Sequence, residues 1–157
     1  MFVYSIKAAT IKFIGVTLLA VAVLTLLVVF VPTYDAAYAA ADGKINYAKI
    51  SSNEDRINFL KQFSWEVKPE PVETAEVVIP KEFDAVYTAY NRLQEKQGLN
   101  LEKYKNKTVA RYTYEITNYP DYEGVVYANI LIYKNKVIGG DICTADVNGF
   151  VHGFGGE

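Results

Sequence analysis

The sequence predicts an α+β fold in which an N-terminal transmembrane helix is followed by a small domain, an antiparallel sheet packed by two helices. Three observations point there. Phe13 to Val31 is a run of nineteen residues without a charge or a proline. Beyond it, apolar side chains recur at helical spacing in two stretches, and from Val109 onward the period changes to two. Helix, short strands, helix and a final run of strands is the order expected of helices laid on one face of a sheet.

Met1 to Lys12 is too short to fold and reads as a cytoplasmic tail. In Phe13 to Val31, fourteen of the nineteen side chains are Phe, Ile, Leu or Val. As a helix the run would be about 28 Å long, close to the roughly 30 Å of a bilayer's hydrocarbon core. Each such side chain favours insertion by roughly 0.3–0.6 kcal/mol near the membrane centre, so the lipid bilayer is the first expected partner. Lys7 and Lys12 precede the run, whereas the first charge after it is Asp35. Positive charge stays inside, which places the N-terminus in the cytoplasm and the rest outside the cell membrane. A cleaved signal peptide is the competing reading. Ala37-Tyr38-Ala39 and Ala39-Ala40-Ala41 both offer the small-x-small pattern, but the apolar run exceeds the usual 7 to about 15 residues.

Pro32 to Ile50, with its alanine-rich run and Asp42-Gly43, reads as a linker, leaving Ser51 to Glu157 as one domain. All 18 acidic residues follow Val31, while two of the 16 basic ones precede it. The outer part is therefore acidic, and nucleic acid is excluded as a partner because there is no basic excess to displace phosphate counterions. Thirteen tyrosines suit a half-buried sheet. A single cysteine forms no internal disulfide, so packing alone must hold the domain.

The domain opens with Ser52 and Asp55, spaced as a capping box, before a helix presenting Ile57, Leu60 and Phe63 with Phe59 beside them. Trp65 and Val67 alternate with Glu66 and Lys68, a short strand that Pro69 and Pro71 confine to an edge or turn. Ala75, Val77 and Ile79 form a second, closed by Pro80. Phe83, Val86, Tyr87, Tyr90 and Leu93 mark the apolar stripe of a helix from about Lys81 to Gln97, opposite Lys81, Asp84, Thr88, Asn91 and Glu95. Gly98 ends it.

Ala110, Tyr112, Tyr114 and Ile116 then share one strand face, and Val109, Arg111, Thr113, Glu115 and Thr117 the other. Asn118 to Gly124 is a turn. Val125 to Tyr133 is apolar on both faces, as a central strand is. Lys134 to Lys136 is a tight hairpin with Asn135 at positive φ. The strand from Lys136 to Cys143 contains Gly139-Gly140, which predicts a bulge or room for a neighbouring ring. Phe150 to Phe154 is the last strand.

Several blocks of this domain resemble one bacterial family. Trp65-Glu66-Val67, Val78-Ile79-Pro80, Tyr90-Asn91 with Leu93-Gln94, Gln97-Gly98, Arg111-Tyr112-Thr113-Tyr114, Asn118-Tyr119-Pro120, Ile138-Gly139-Gly140-Asp141 and Gly149-Phe150 with His152-Gly153-Phe154 occur in the order seen in the domain of unknown function 4830. The likeness runs from about Asp55 to Phe154. It implies a small protein with an N-terminal membrane segment and no assigned activity, and it carries over no catalytic residue.

The residues themselves carry little chemistry. Cys143 and His152 are the only cysteine and histidine, and with Asp141 nearby they define the one nucleophile-and-base arrangement available to an exported enzyme. They fall short of the three or four ligands a zinc ion takes, and Asp141, Asp146 and Asn148 lack the spacing of a calcium loop, so no metal or cofactor is expected. Gly139-Gly140 and Gly153-Phe154-Gly155-Gly156 do not join a strand to a helix and so cradle no phosphate. Lys103, Lys105 and Lys107 form a small basic cluster.

Arg111, Asn118, Tyr119, Asp141 and His152 are the candidate binding residues, polar or amphipathic groups on or beside a sheet face that a ligand or peptide would use. Against this stands a purely structural role, with Arg111 paired to Asp141 across the sheet and Tyr119 closing a corner. The expected function is a single-pass anchored protein whose outer domain binds an unidentified protein or envelope partner without catalysis. The exported Cys143–His152 enzyme is one alternative. A secreted protease-inhibitor-like module, suggested by fold analogy alone, is the other.

Overall fold

The structure is a computed structural model that describes residues 44–146 and 148–156. The expected tail, the run Phe13 to Val31 and linker residues 32–43 lie outside the described residues. Among the described residues, no helix is long and apolar enough to cross a membrane.

The domain is α+β. In chain order its elements are α1 (Asn53–Lys61), β1 (Glu73–Val78), α2 (Ala85–Lys96), a 3-10 turn (Leu101–Tyr104), β2 (Thr108–Ile116), β3 (Val126–Tyr133), β4 (Lys136–Thr144) and β5 (Val151–His152). The five strands form one antiparallel sheet in the order β1-β2-β3-β4-β5.

The two helices cover opposite faces, not the single face expected. Phe59 and Leu60 of α1 are buried with Tyr114, Ile116, Ala128, Ile130 and Ile142. Tyr87 and Tyr90 of α2 pack with Val109, Leu131 and Ile138. Adjacent residues on a strand point to opposite faces. The doubly apolar β3, with Ile130 and Ile132 on one side and Leu131 on the other, therefore needs cover on both.

Helix α1 starts where its capping box predicts. Ser52 Oγ accepts from Asp55 N at 3.1 Å, and Asp55 Oδ2 accepts from the backbone of Ser51 and Ser52 at 2.9 and 2.8 Å. Helix α2 begins later than expected, because the Asp84 carboxylate takes the Tyr87 N–H at 2.7 Å and caps there. Its buried stripe is also rotated. Val86 is 77% exposed, whereas Asn91 and Gln94, the former assigned to the polar side, are buried. Both amides have buried backbone partners: Asn91 Oδ1 accepts from Leu101 N, and Gln94 Oε1 from Gly140 N, each at 2.8 Å.

The strand expected at Trp65 to Lys68 is a single bridge between Val67 and Ile116. Pro69 and Pro71 lack the N–H that would continue the ladder into β1, so pairing lapses between them. Residues 47–50, expected in the linker, lie along β4: Tyr47 O accepts from Val137 N, Ala48 bridges Lys136, and Ile50 is buried. The last strand shortens to two residues. At the β3–β4 turn both Lys134 (φ 48°) and Asn135 (φ 59°) are left-handed, the conformation of a two-residue hairpin. Of the two readings of Gly139-Gly140, room for a neighbouring ring holds, since a Cβ on Gly140 would overlap the Phe154 ring. The bulge falls one residue earlier: Gly139 and Gly140 stay paired with Leu131 and Ile130, and Ile138 is the extra residue where Ile132 pairs with Val137.

Candidate functional site

Helix α2 covers only part of its face of the sheet. The remainder is a groove of about 490 Å³ walled by Val72, Glu73, Arg111, Thr113, Tyr127, Asn129 and Cys143. Strand register explains this set. Glu73 faces Thr113, Thr113 faces Asn129, Asn129 faces Asp141 and Tyr127 faces Cys143, so one face of four strands presents a polar row.

Arg111 does not reach Asp141 as the structural reading of the sequence expected. Its Nη2 lies 2.6 Å from Glu73 Oε1, and its buried Nε has no partner among the described residues. Asp141 instead accepts from Tyr90 Oη at 2.7 Å and Asn129 Nδ2 at 2.9 Å. Burial pushes the Tyr90 phenol well above its ordinary pKa, and the adjacent Asp141 charge adds to the shift. Thr113 Oγ1 donates to Asn129 Oδ1 at 2.8 Å, and Asn129 Nδ2 also stands 3.3 Å from Cys143 Sγ.

Cys143 and His152 do not meet. Ile142 is the register partner of His152, and Cys143 that of Val151, so the thiol and the imidazole occupy opposite faces of the sheet. Burial first, and then the Asp141 charge, push the Cys143 thiol up to about 11. A thiol held protonated at neutral pH by burial and a neighbouring carboxylate charge, with the imidazole on the other face of the sheet, is a poor nucleophile.

The remaining candidates sit at the other face. Asn118 Oδ1 accepts from Glu66 N at 2.9 Å and its Nδ2 donates to Ser64 O at 2.8 Å, which ties the β2–β3 loop to the chain leaving α1. The Tyr119 ring lies between Trp65, 5.4 Å away and tilted by 7°, and Phe150, 5.0 Å away and tilted by 23°. His152 Nδ1 is 2.6 Å from Gly153 O, and a carbonyl only accepts, so Nδ1 carries the proton. Nε2 then accepts from Tyr119 Oη at 2.9 Å.

The five candidates thus divide. Arg111 and Asp141 share the grooved face, whereas Asn118, Tyr119 and His152 knit the opposite corner. Glu73, Thr113, Tyr127 and Asn129 were not legible as groove residues. The usable signal was the polar face of β2 carrying Arg111 and Thr113. Chemically the groove presents a guanidinium, a carboxylate, an amide, a hydroxyl and a phenol ring, a surface for a polar ligand or an extended peptide. Among the described residues, no group of three or more His, Cys, Asp or Glu side chains is placed to hold a metal ion.

No curated protein and no solved structure matches this chain. A family model described as a domain of unknown function does match, over residues 59–142, from Phe59 in α1 to Ile142 in β4. That span includes α2, the 3-10 turn, β1 to β3 and nearly all of β4, and it is more than half of the chain; the protein belongs to the DUF4830 family.

Proposed function

We propose that this chain is a single-pass membrane protein whose α+β domain lies outside the cytoplasm and binds a partner through the grooved sheet face, without catalysis. The groove is the observation that carries the reading. An antiparallel sheet that exposes Arg111, Glu73, Tyr127 and Asn129 together has left its strands uncovered where a helix would bury them. The charge-free run Phe13 to Val31 and the lysines before it support the anchor and its direction.

Two measurements test this. A reporter that works only outside the cytoplasm, fused behind Glu157, is expected to be active; activity of a cytosol-only reporter would refute the orientation. A protein captured by the intact chain from its own membranes is expected to be lost with Arg111→Ala and Tyr127→Ala together and kept with Lys61→Ala. Retention by the groove variant would remove the groove from the function.

A further inference from the structure

The lysines that look scattered in sequence are gathered by the topology at one end of the sheet. The β3–β4 hairpin brings Lys134 and Lys136, and β2 starts beside it with Lys107. The 3-10 turn docks at the same end: Tyr104 lies 5.7 Å from Tyr133, and Asn106 N donates to Ile79 O at 2.9 Å. That contact adds Lys103 and Lys105, with Lys81 two residues beyond Ile79. Ile50 N donates to Asn135 O at 2.9 Å, which places Lys49 there as well.

Among the described residues, only Lys105 of these seven lysines is paired, to Glu102 at 3.1 Å, and the other six are exposed. The acidic residues on the same segments are Glu82, Asp84 and Glu102, together with Asp55, whose carboxylate accepts from Ser51 N two residues after Lys49, which leaves an excess of three positive charges in a domain that is acidic as a whole. The opposite end is the reverse. The turns Asn118 to Gly124 and Ala145 to Gly149 carry Asp121, Glu123 and Asp146 and no basic residue. Opposed charge at the two ends of one sheet gives the domain a direction in a field, and fields of this range act within about 8–10 Å of a surface at ordinary salt.

We infer that the lysine-bearing end is the face the domain turns to the membrane, and that it takes anionic lipid headgroups. The inference rests on the anchor reading. Between Val31 and Lys44 stand twelve residues, which even fully extended reach no more than about 45 Å, so the domain remains near the lipid surface. The geometry then selects which end meets it. Clustered lysines are attracted to anionic headgroups, whereas Asp121, Glu123 and Asp146 are repelled. With that end down, the grooved face stands at the side of the domain, open to a partner.

The test uses the full chain in phosphatidylcholine vesicles with and without anionic phosphatidylglycerol. Lysine labelling by an amine reagent that does not cross lipid is read by mass spectrometry. In the anionic vesicles, labelling of Lys107, Lys134 and Lys136 is expected to slow several-fold, while Lys61 and Lys68 are unchanged. The protection is expected to vanish at about 1 M salt, where the Debye length is about 3 Å. Lys134→Glu with Lys136→Glu is expected to release Lys107 while the circular dichroism stays native. Equal labelling in both vesicles, or persistent protection of Lys107 in that variant, overturns the inference. Equal protection by soluble polyphosphate in neutral vesicles would assign the lysines to an anionic polymer and overturn the lipid assignment. Carbonate extraction of the same vesicles reads the anchor separately: a chain that stays in lipid without anionic-lipid protection refutes only this inference.

Discussion

The side-chain oxygen of Gln94 accepts the backbone N–H of Gly140 at 2.8 Å, across 46 residues of sequence. Gln97 completes the contact: its Nε2 donates to Gly140 O at 3.1 Å and its Oε1 accepts from Phe154 N at 2.7 Å. On β4, β5 pairs only with Ile142 and Cys143, so two glutamine amides take the place of a strand at Gly140. The sheet edge is closed there and α2 is fixed to it by the same bonds. Gln94-, Gln97- and Gly140-containing blocks among those that resemble the family are thereby explained as structural.

Replacing Gln94 by Leu keeps the volume and leaves the Gly140 N–H buried without an acceptor. A loss of about 1–3 kcal/mol is expected, read as a lower urea midpoint with an unchanged slope. A midpoint within error of the native one would show that the edge bond is dispensable.

Gly140→Ala puts a methyl 2.2 Å from both Asn129 O and the Phe154 ring. The backbone oxygen cannot rotate away, so a loss of about 1–3 kcal/mol or more is expected. Gly155→Ala meets nothing within 4 Å and is expected to leave thermal unfolding within a degree or so. Similar losses from the two would mean that backbone freedom, not space, is the issue.

Asp55 is held well below its ordinary value of 3.8, chiefly by the backbone N–H groups of Ser52 and Ser51. A carboxylate with a depressed folded pKa stabilises fully above the unfolded value and less as pH falls through the folded one. Asp55→Asn is therefore expected to lower the urea midpoint at pH 7, and the gap to native is expected to close as the pH is taken below 3.8. A gap that does not change with pH would assign the effect to something other than charge.

Cys143 has the opposite sign. Its thiol rises from 9.0 to about 11 on folding, so the folded state holds the proton more tightly. That stabilisation is complete below the unfolded value of 9.0 and is lost as pH rises through about 11. Labelling by a thiol reagent in native buffer is expected to be slow at pH 7 and to climb roughly tenfold per pH unit toward 11, because only the thiolate reacts. Fast labelling at pH 7 would reveal an activated thiol.

Trp65 is the single tryptophan, stacked on Tyr119 with its Nε1 donating to Phe154 O at 2.7 Å. Its fluorescence reports this corner alone. Tyr119→Leu is expected to shift the emission to longer wavelength as water reaches the indole, with a stability loss of about 0.5–1.5 kcal/mol for the aromatic pair beyond the area lost. Tyr119→Phe keeps the stack and removes only the bond to His152, so its emission is expected to match the native chain.

The local features were readable because near neighbours decide them. Ser52 and Asp55 are three residues apart and cap α1 whatever surrounds them. The alternation from Val109 to Thr117 defines β2, and Lys134-Asn135 turns the hairpin. The strand at Trp65 to Lys68 was over-read because alternation says nothing about whether a ladder can pass two prolines. Helix α2 was rotated in the reading because the sequence ranks Val86 above Asn91 and Gln94 for burial, and hydropathy does not record a buried backbone group waiting for an amide.

The sequence by itself determined the α+β class, the antiparallel run of strands, the cap of α1 and the charge-free stretch from Phe13 to Val31. Only the tertiary structure decided that the helices take opposite faces, that Cys143 and His152 are separated by the sheet, and that scattered lysines gather at one end. The physical reason is register. A side chain's face is set by which residue of a distant strand it opposes, and a shift of one position reverses it. Such pairings as Ile142 with His152 are settled by the packing of the whole core, not by the residues next to them in the chain.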